Sequence, residues 1–147
     1  MTKPKTIIES IRDFIKTCPY LPDYYDSIGV DYINDNVGGY MILQVPGDPV
    51  VKKYVNGNAK KQCIFTFAST EPYGADTLQN LENLGFYEKF AEWIDECNVN
   101  DTLPELSENK ESLELEVETP GYLFDAKAEK AQYRIQCRLI YFEEKKG

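Results

Sequence analysis

Gln132-Tyr133-Arg134-Ile135-Gln136-Cys137-Arg138-Leu139-Ile140-Tyr141 sets Tyr133, Ile135, Cys137, Leu139 and Tyr141 against Gln132, Arg134, Gln136 and Arg138. A period of two belongs to an extended strand, whose successive side chains leave opposite faces, so one face enters a core and the other meets solvent or a partner. Leu113, Leu115 and Val117 alternate with Glu114, Glu116 and Glu118 in the same way. Between these two strands, Thr119-Pro120-Gly121 and Asp125-Ala126-Lys127-Ala128 supply turn chemistry, which predicts a long hairpin with Glu114 and Glu116 near Arg134 and Arg138 if the register permits.

Working back toward the N-terminus, Asn98 to Lys110 is polar, contains Pro104 and reads as an exposed connector. Before it lies a helix capped by Asp76 or Thr77 and running to about Asn98, with an interruption possible at Gly85. Phe86, Phe90, Trp93, Ile94 and Cys97 form its apolar stripe, which Leu78 and Leu81 extend. Lys60 through Ser69 is apolar on both faces and is placed centrally in the sheet. Val50 to Val55 is a short edge strand joined to it by the Asn56-Gly57 turn. Tyr40 to Val45 is a further strand, and Ile28, Val30 and Tyr32 alternate with Gly29, Asp31 and Ile33 in the first one. The chain opens on a helix with Thr6 as N-cap, burying Ile7, Ile8, Ile11, Phe14, Ile15 and Cys18, and stopped by Pro19.

The resulting order is α-β-β-β-β-α-β-β, without βαβ alternation or internal repeats, which predicts an α+β fold with a mainly antiparallel sheet and two principal helices on one face. At 147 residues with 42% hydrophobic side chains, residues 1–147 are expected to form one domain around one core. No signal-like or membrane-spanning apolar run is present, which leads to the expectation of a soluble intracellular protein.

Composition narrows the chemistry. The chain has no histidine, which removes the usual general base near neutral pH and the commonest metal ligand. Cys18, Cys63, Cys97 and Cys137 are too widely spaced for a CxxC site and are expected as buried, reduced thiols. A formal charge of −9 disfavours binding to phosphate backbones or anionic lipid. No phosphate-cradling glycine motif is present, so the expectation is no cofactor, no metal and no catalytic residue. The carboxylate clusters around Asp95-Glu96, Glu105 to Glu111 and Glu114 to Glu118 read as solvated faces, although a pair separated by burial would permit acid–base chemistry.

Two features stand out as contact surfaces. Lys52, Lys53, Lys60 and Lys61, with Tyr54, concentrate positive charge around the Asn56-Gly57 turn of an otherwise acidic chain. They either guard an edge strand or form a contact surface for an acidic partner or another copy. Glu114, Glu116 and Glu118 share one strand face and favour solvent or a basic partner. Tyr20, Tyr24 and Tyr25 read as a lid over the core, with an interface anchor as the other reading.

Several segments together resemble a known family: Val45-Pro46-Gly47-Asp48-Pro49-Val50-Val51-Lys52-Lys53-Tyr54, Phe67-Ala68-Ser69, Asn80-Leu81-Glu82-Asn83-Leu84-Gly85-Phe86-Tyr87-Glu88, Phe90-Ala91-Glu92-Trp93-Ile94, Gly121-Tyr122-Leu123-Phe124-Asp125 and Ala131-Gln132-Tyr133-Arg134-Ile135-Gln136-Cys137. They are similar to the tail terminator-like (minor capsid, tail completion) proteins of long-tailed phages and prophages of Gram-positive bacteria. The resemblance covers nearly the whole chain and consists of packing and turn patterns. It implies a virion structural subunit that forms a hexameric ring on the completed tail tube, halts polymerisation and presents a surface to the head connector, with either a monomer or an oligomer as its state before it meets the tube. The implied partners are copies of itself, the tail tube protein and the head completion protein, with DNA only as passing cargo and no membrane. The implied location is the host cytoplasm during assembly and then the virion tail. Two other classes stand beside it: a small carboxylate-dependent enzyme and a non-phage protein-binding adaptor on the same scaffold.

Overall fold

The computed structural model describes residues 5–22, 25 and 27–145. Two helices and seven strands run in the order α1 (Ile7–Ile15), β1 (Ser27–Val30), β2 (Gly39–Gln44), β3 (Val50–Lys53), β4 (Ala59–Pro72), α2 (Thr77–Val99), β5 (Lys110–Val117), β6 (Tyr122–Ala126) and β7 (Lys130–Glu143). The fold is α+β, and its one sheet is mainly antiparallel.

The two 14-residue strands β4 and β7 pair along their whole length and form the spine, from Ala59 opposite Glu143 to Pro72 opposite Lys130. Each is flanked by two shorter strands placed end to end. On the β4 side, β2 pairs with Phe65 to Ser69 and β3 with Ala59 to Lys61, and β1 adds outside β2. On the β7 side, β5 pairs with Cys137 to Glu143 and β6 with Ala131 to Arg134. The β1–β2 pair is parallel, joined by the crossover 31–38.

Both helices cover one face. Phe65 and Phe67 of β4, Tyr133, Ile135, Cys137 and Leu139 of β7, and Tyr40 and Ile42 of β2 point into a single core with Ile11, Phe14 and Ile15 of α1 and Phe90, Trp93 and Ile94 of α2. The Phe14 and Trp93 rings stack with centroids 4.8 Å apart and tie the helices together. The alternation of β7 is obeyed at every position from Ala131 to Leu139, and β4 is central and apolar on both faces, with Ala68 fully buried on the side away from the helices. There the crossover shelters Ala68 and Met41, and Thr70 Oγ1 donates to the Asn34 carbonyl at 2.6 Å.

Both N-caps form as the sequence indicates. The Thr6 and Asp76 side chains accept hydrogen bonds from the Glu9 and Leu78 amides. Gly57 takes φ +92° at the hairpin turn, a backbone conformation open to glycine at little cost.

Several expectations are corrected. The first strand stops at Val30 because Asp31 adopts φ 50° and turns its carboxylate back onto Gln44, so Tyr32 and Ile33 lie in the crossover, exposed. α1 ends at Ile15, so Cys18 is buried beyond the helix rather than on it. α2 runs through Gly85 unbroken, and its stripe continues N-terminally through Tyr87 and Asn83, while Leu78 and Leu81 are exposed. The connector 100–109 is tied down: Pro104 is buried, Leu103 and Leu106 pack on the core, and Ser112 donates to the Pro104 carbonyl. A pairing shift between Ser112 and Glu114 leaves Leu113 exposed while Leu115 stays buried. Finally, β6 is an extra strand where turn chemistry alone was expected, and it makes the tighter hairpin with β7.

Candidate functional site

On the side of the sheet away from the helices, Met41, Thr66, Ala68 and Thr70 are buried, and the β7 half is the more exposed part. β7 lays Gln132, Arg134, Gln136 and Arg138 across it, all partly exposed. Arg138 stands opposite Glu116 of β5, and its guanidinium donates from Nε and Nη2 to Glu116 Oε2 at 3.1 and 2.6 Å while Nη1 donates to Gln62 Oε1 at 2.9 Å. The hydrogen bond to Glu116 raises the Arg138 pKa, stabilising a charge already permanent at neutral pH. Glu118 accepts from Gln136 Nε2, and Glu114 lies opposite Ile140. Arg134 is opposite Tyr122 of β6 rather than any glutamate. Its guanidinium carbon sits 3.4 Å from the centre of the Phe124 ring, and Nε donates to Gln132 Oε1 at 2.7 Å. Burial lowers its pKa. The structure thus joins Glu116 with Arg138 and keeps Glu114 apart from Arg134.

The lysine cluster is divided between the two faces. Lys52 stands opposite Lys60, itself paired with Phe142, on the open side. Lys52 Nζ lies 5.3 Å from the centre of the Tyr54 ring, whose centroid is 6.0 Å from that of Phe142. Lys53 is opposite Ala59 and Lys61 opposite Tyr141, on the side of the helices. Lys61 Nζ donates to Glu143 at 2.6 Å, with Lys110 on the other carboxylate oxygen at 3.7 Å. These contacts hold the Glu143 carboxyl below its ordinary range. Lys61 is therefore a structural partner, and among the described residues Lys52 and Lys53 are exposed and form no ion pair. The hairpin does not swing free: Asn58 Oδ1 accepts from the Lys145 amide, which fastens the turn to the end of β7.

A cleft of about 670 Å³ opens between the start of α1 and the β2–β3 connection, lined by Ile7, Ile8, Val45, Cys63 and Tyr141 among others, with Asp48 as its acidic residue. Burial pushes the Cys63 thiol up to about 11, so it stays protonated at neutral pH. All four cysteines are free thiols, and Cys18, Cys97 and Cys137 are buried.

Sequence reasoning missed a buried polar cluster under α2. Tyr87 OH lies 2.5 Å from Ser69 Oγ and donates to the Tyr133 carbonyl at 3.2 Å, while Asn83 Nδ2 donates to the Pro72 carbonyl at 2.8 Å. Glu71, also buried, accepts from Tyr40 OH at 2.8 Å. The signal was the spacing Asn83-Tyr87-Phe90-Ile94-Cys97, a helical stripe whose first members are polar. Glu71 is the buried acid among the described residues. Of the aromatic lid, Tyr25 packs edge-on against Tyr40, Tyr20 is exposed beneath Lys89, and Tyr24 falls outside the described residues. Among the described residues no three acidic or cysteine side chains converge as metal ligands, and no helix is long and apolar enough to cross a membrane.

No known family model matches the chain, and no curated protein matches it.

Proposed function

We propose that the protein is a structural subunit that caps the tail tube of a long-tailed phage or prophage, stops tail polymerisation and offers the surface on which the head is joined. The observation that carries this reading is the two-layer architecture: both helices on one side of a seven-stranded sheet, the opposite side crossed along β7 and β5 by partly exposed Arg, Gln and Glu. A subunit of a ring needs such a stiff plate with a broad polar face, and it needs no reaction centre. The sequence resemblance to tail terminator-like proteins supplies the assembly, a ring of six copies between tube and connector. In this reading the protein works in the host cytoplasm during assembly and ends in the virion tail. Its acidic character lets DNA pass the ring without adhering.

The enzyme alternative asks for two buried carboxylates around a pocket. The one buried acid among the described residues, Glu71, is engaged by Tyr40 inside the packed core and does not line the cleft at α1. The adaptor alternative makes a different genetic prediction, a gene neighbourhood without phage genes.

Deleting the gene from its prophage tests the proposal. Electron microscopy of the lysate is expected to show tails of uncontrolled length and unjoined heads, and normal virions would overturn the reading.

A further inference from the structure

We propose that copies of this chain join head to tail through opposite edges of the sheet, the β1/β3 edge of one copy against the β6/β5 edge of the next. This deepens the ring reading above and rests on it. The register fixes the layout. β3 and β5 lie at the same end of the β4–β7 spine on opposite edges, and β1 and β6 lie toward the other end, again on opposite edges.

Each edge therefore has a charged end and an apolar end. At the charged end, β3 offers exposed Lys52 and Lys53, and β5 offers exposed Glu111 and Glu114; among the described residues none of the four forms an ion pair. At the apolar end, the first edge exposes Val30 of β1, with Tyr32 of the crossover folded back against Gly29 beside it, and the other exposes Tyr122, Leu123 and Phe124 of β6.

This arrangement selects one contact geometry. A head-to-tail contact that keeps the strand direction sets lysine against glutamate and apolar against apolar at once. Two-fold contacts of like edges set Lys against Lys or Glu against Glu, or else charge against apolar surface, and each of these is unfavourable. Head-to-tail contacts of this kind close into rings when the rotation between neighbours permits. β1 stands one strand further out than β3, a step of about 4.8 Å, within the reach of an extended lysine. The joint is made by side chains rather than by a continuous backbone ladder. Arg12 Nε already occupies the Ile28 carbonyl on β1, and the Asn98 amide occupies both the N–H and C=O of Leu115 on β5.

Charge reversal tests this on the full-length purified chain, with sedimentation velocity up to millimolar protein as the readout and circular dichroism as the check on folding. Lys52→Glu/Lys53→Glu is expected to weaken self-association at least about tenfold, and Glu111→Lys/Glu114→Lys equally. An equimolar mixture of the two variants restores it as alternating copies, and one chain carrying all four changes restores it alone. A monomeric wild type throughout the range, single reversals that associate like wild type, or failure of either restoration overturns the edge pairing. Should a reversal impair folding, Gln at the same positions replaces it, and unchanged association then overturns the proposal. Tube capping is read separately by adding the same proteins to tails from the deletion lysate. Restored association without capping removes the tail reading and leaves the edge joint; capping that survives unrestored association does the reverse.

Discussion

Tyr87 carries more of the structure than its place in an acidic, aromatic helix indicates. Its hydroxyl meets Ser69 Oγ and the Tyr133 carbonyl, so one side chain binds α2 to both spine strands where water is excluded. Tyr87→Phe keeps the ring and strips these bonds, leaving the Tyr133 carbonyl short of a donor; a loss of about 1–3 kcal/mol is expected in urea unfolding. Ser69→Ala should cost less when added to Tyr87→Phe than alone, because the two share one bond; additive losses would separate them. Glu143 makes the corresponding argument about charge. Lys61 first, then Lys110, holds its folded pKa below the ordinary 4.5. Because the folded value is the lower one, this contribution is complete above about pH 4.5 and is lost as pH falls through the folded pKa. Glu143→Gln should therefore flatten the loss of stability on acidification below about pH 4.5 and leave the pH dependence above about 6 unchanged. An acid limb identical to wild type would remove Glu143 from the linkage.

Elements differ in how openly the sequence displays them. β7 is legible because side chains of one parity meet the same fate from Ala131 to Leu139, inward at Ile135 and Cys137, outward at Arg134 and Gln136, and β4 because its run from Phe65 to Ala68 is buried on both faces. β6 is not legible: all five of its residues are exposed, so no alternation marks it, and its pairing depends on β7 alone. Leu113 misleads for a related reason, since the bulge that ejects it is set by pairing with β7 and leaves no trace in local composition. α2 is an intermediate case. Its C-terminal stripe is apolar and plain, but two polar residues, Asn83 and Tyr87, occupy the N-terminal half of the buried side while Leu78 and Leu81 face out. A direct consequence is that Leu78→Gln/Leu81→Gln should change stability by no more than about 0.5 kcal/mol, against about 3–5 kcal/mol for Phe90→Ala. Gly85 lies within the same unbroken helix with open space around an added Cβ. Gly85→Ala should raise the unfolding free energy by about 0.5–1 kcal/mol, and a loss instead would reveal a constraint on the helix there.

At the scale of the molecule, the candidate surface was legible only in part. Alternation alone placed Glu116 and Arg138 on one face, but dividing the four lysines between faces, and lining up β3 with β5, required the long-range register of β4 on β7. That register also sets how charge acts on the fold. Four ion pairs join described residues, with side chains 23–45% exposed, and pairs of this kind contribute about 0–1 kcal/mol each. Against them stands a net charge of −9, with Glu111, Glu114 and Glu118 exposed along one stretch of β5 and the turn after it. Going from about 10 to 150 mM NaCl shortens the screening length from about 30 to 8 Å, which removes repulsion between well-separated like charges and barely touches pairs in contact. Self-repulsion is thus the larger loss to screening, and Tm should rise by about 2–4 °C, on the order of 1 kcal/mol at this size. Scanning calorimetry on dilute protein, where copies do not associate, checks it: a Tm that falls with salt would mean that the ion pairs outweigh the repulsion, with the Lys61–Glu143–Lys110 cluster the first to probe by Glu143→Gln.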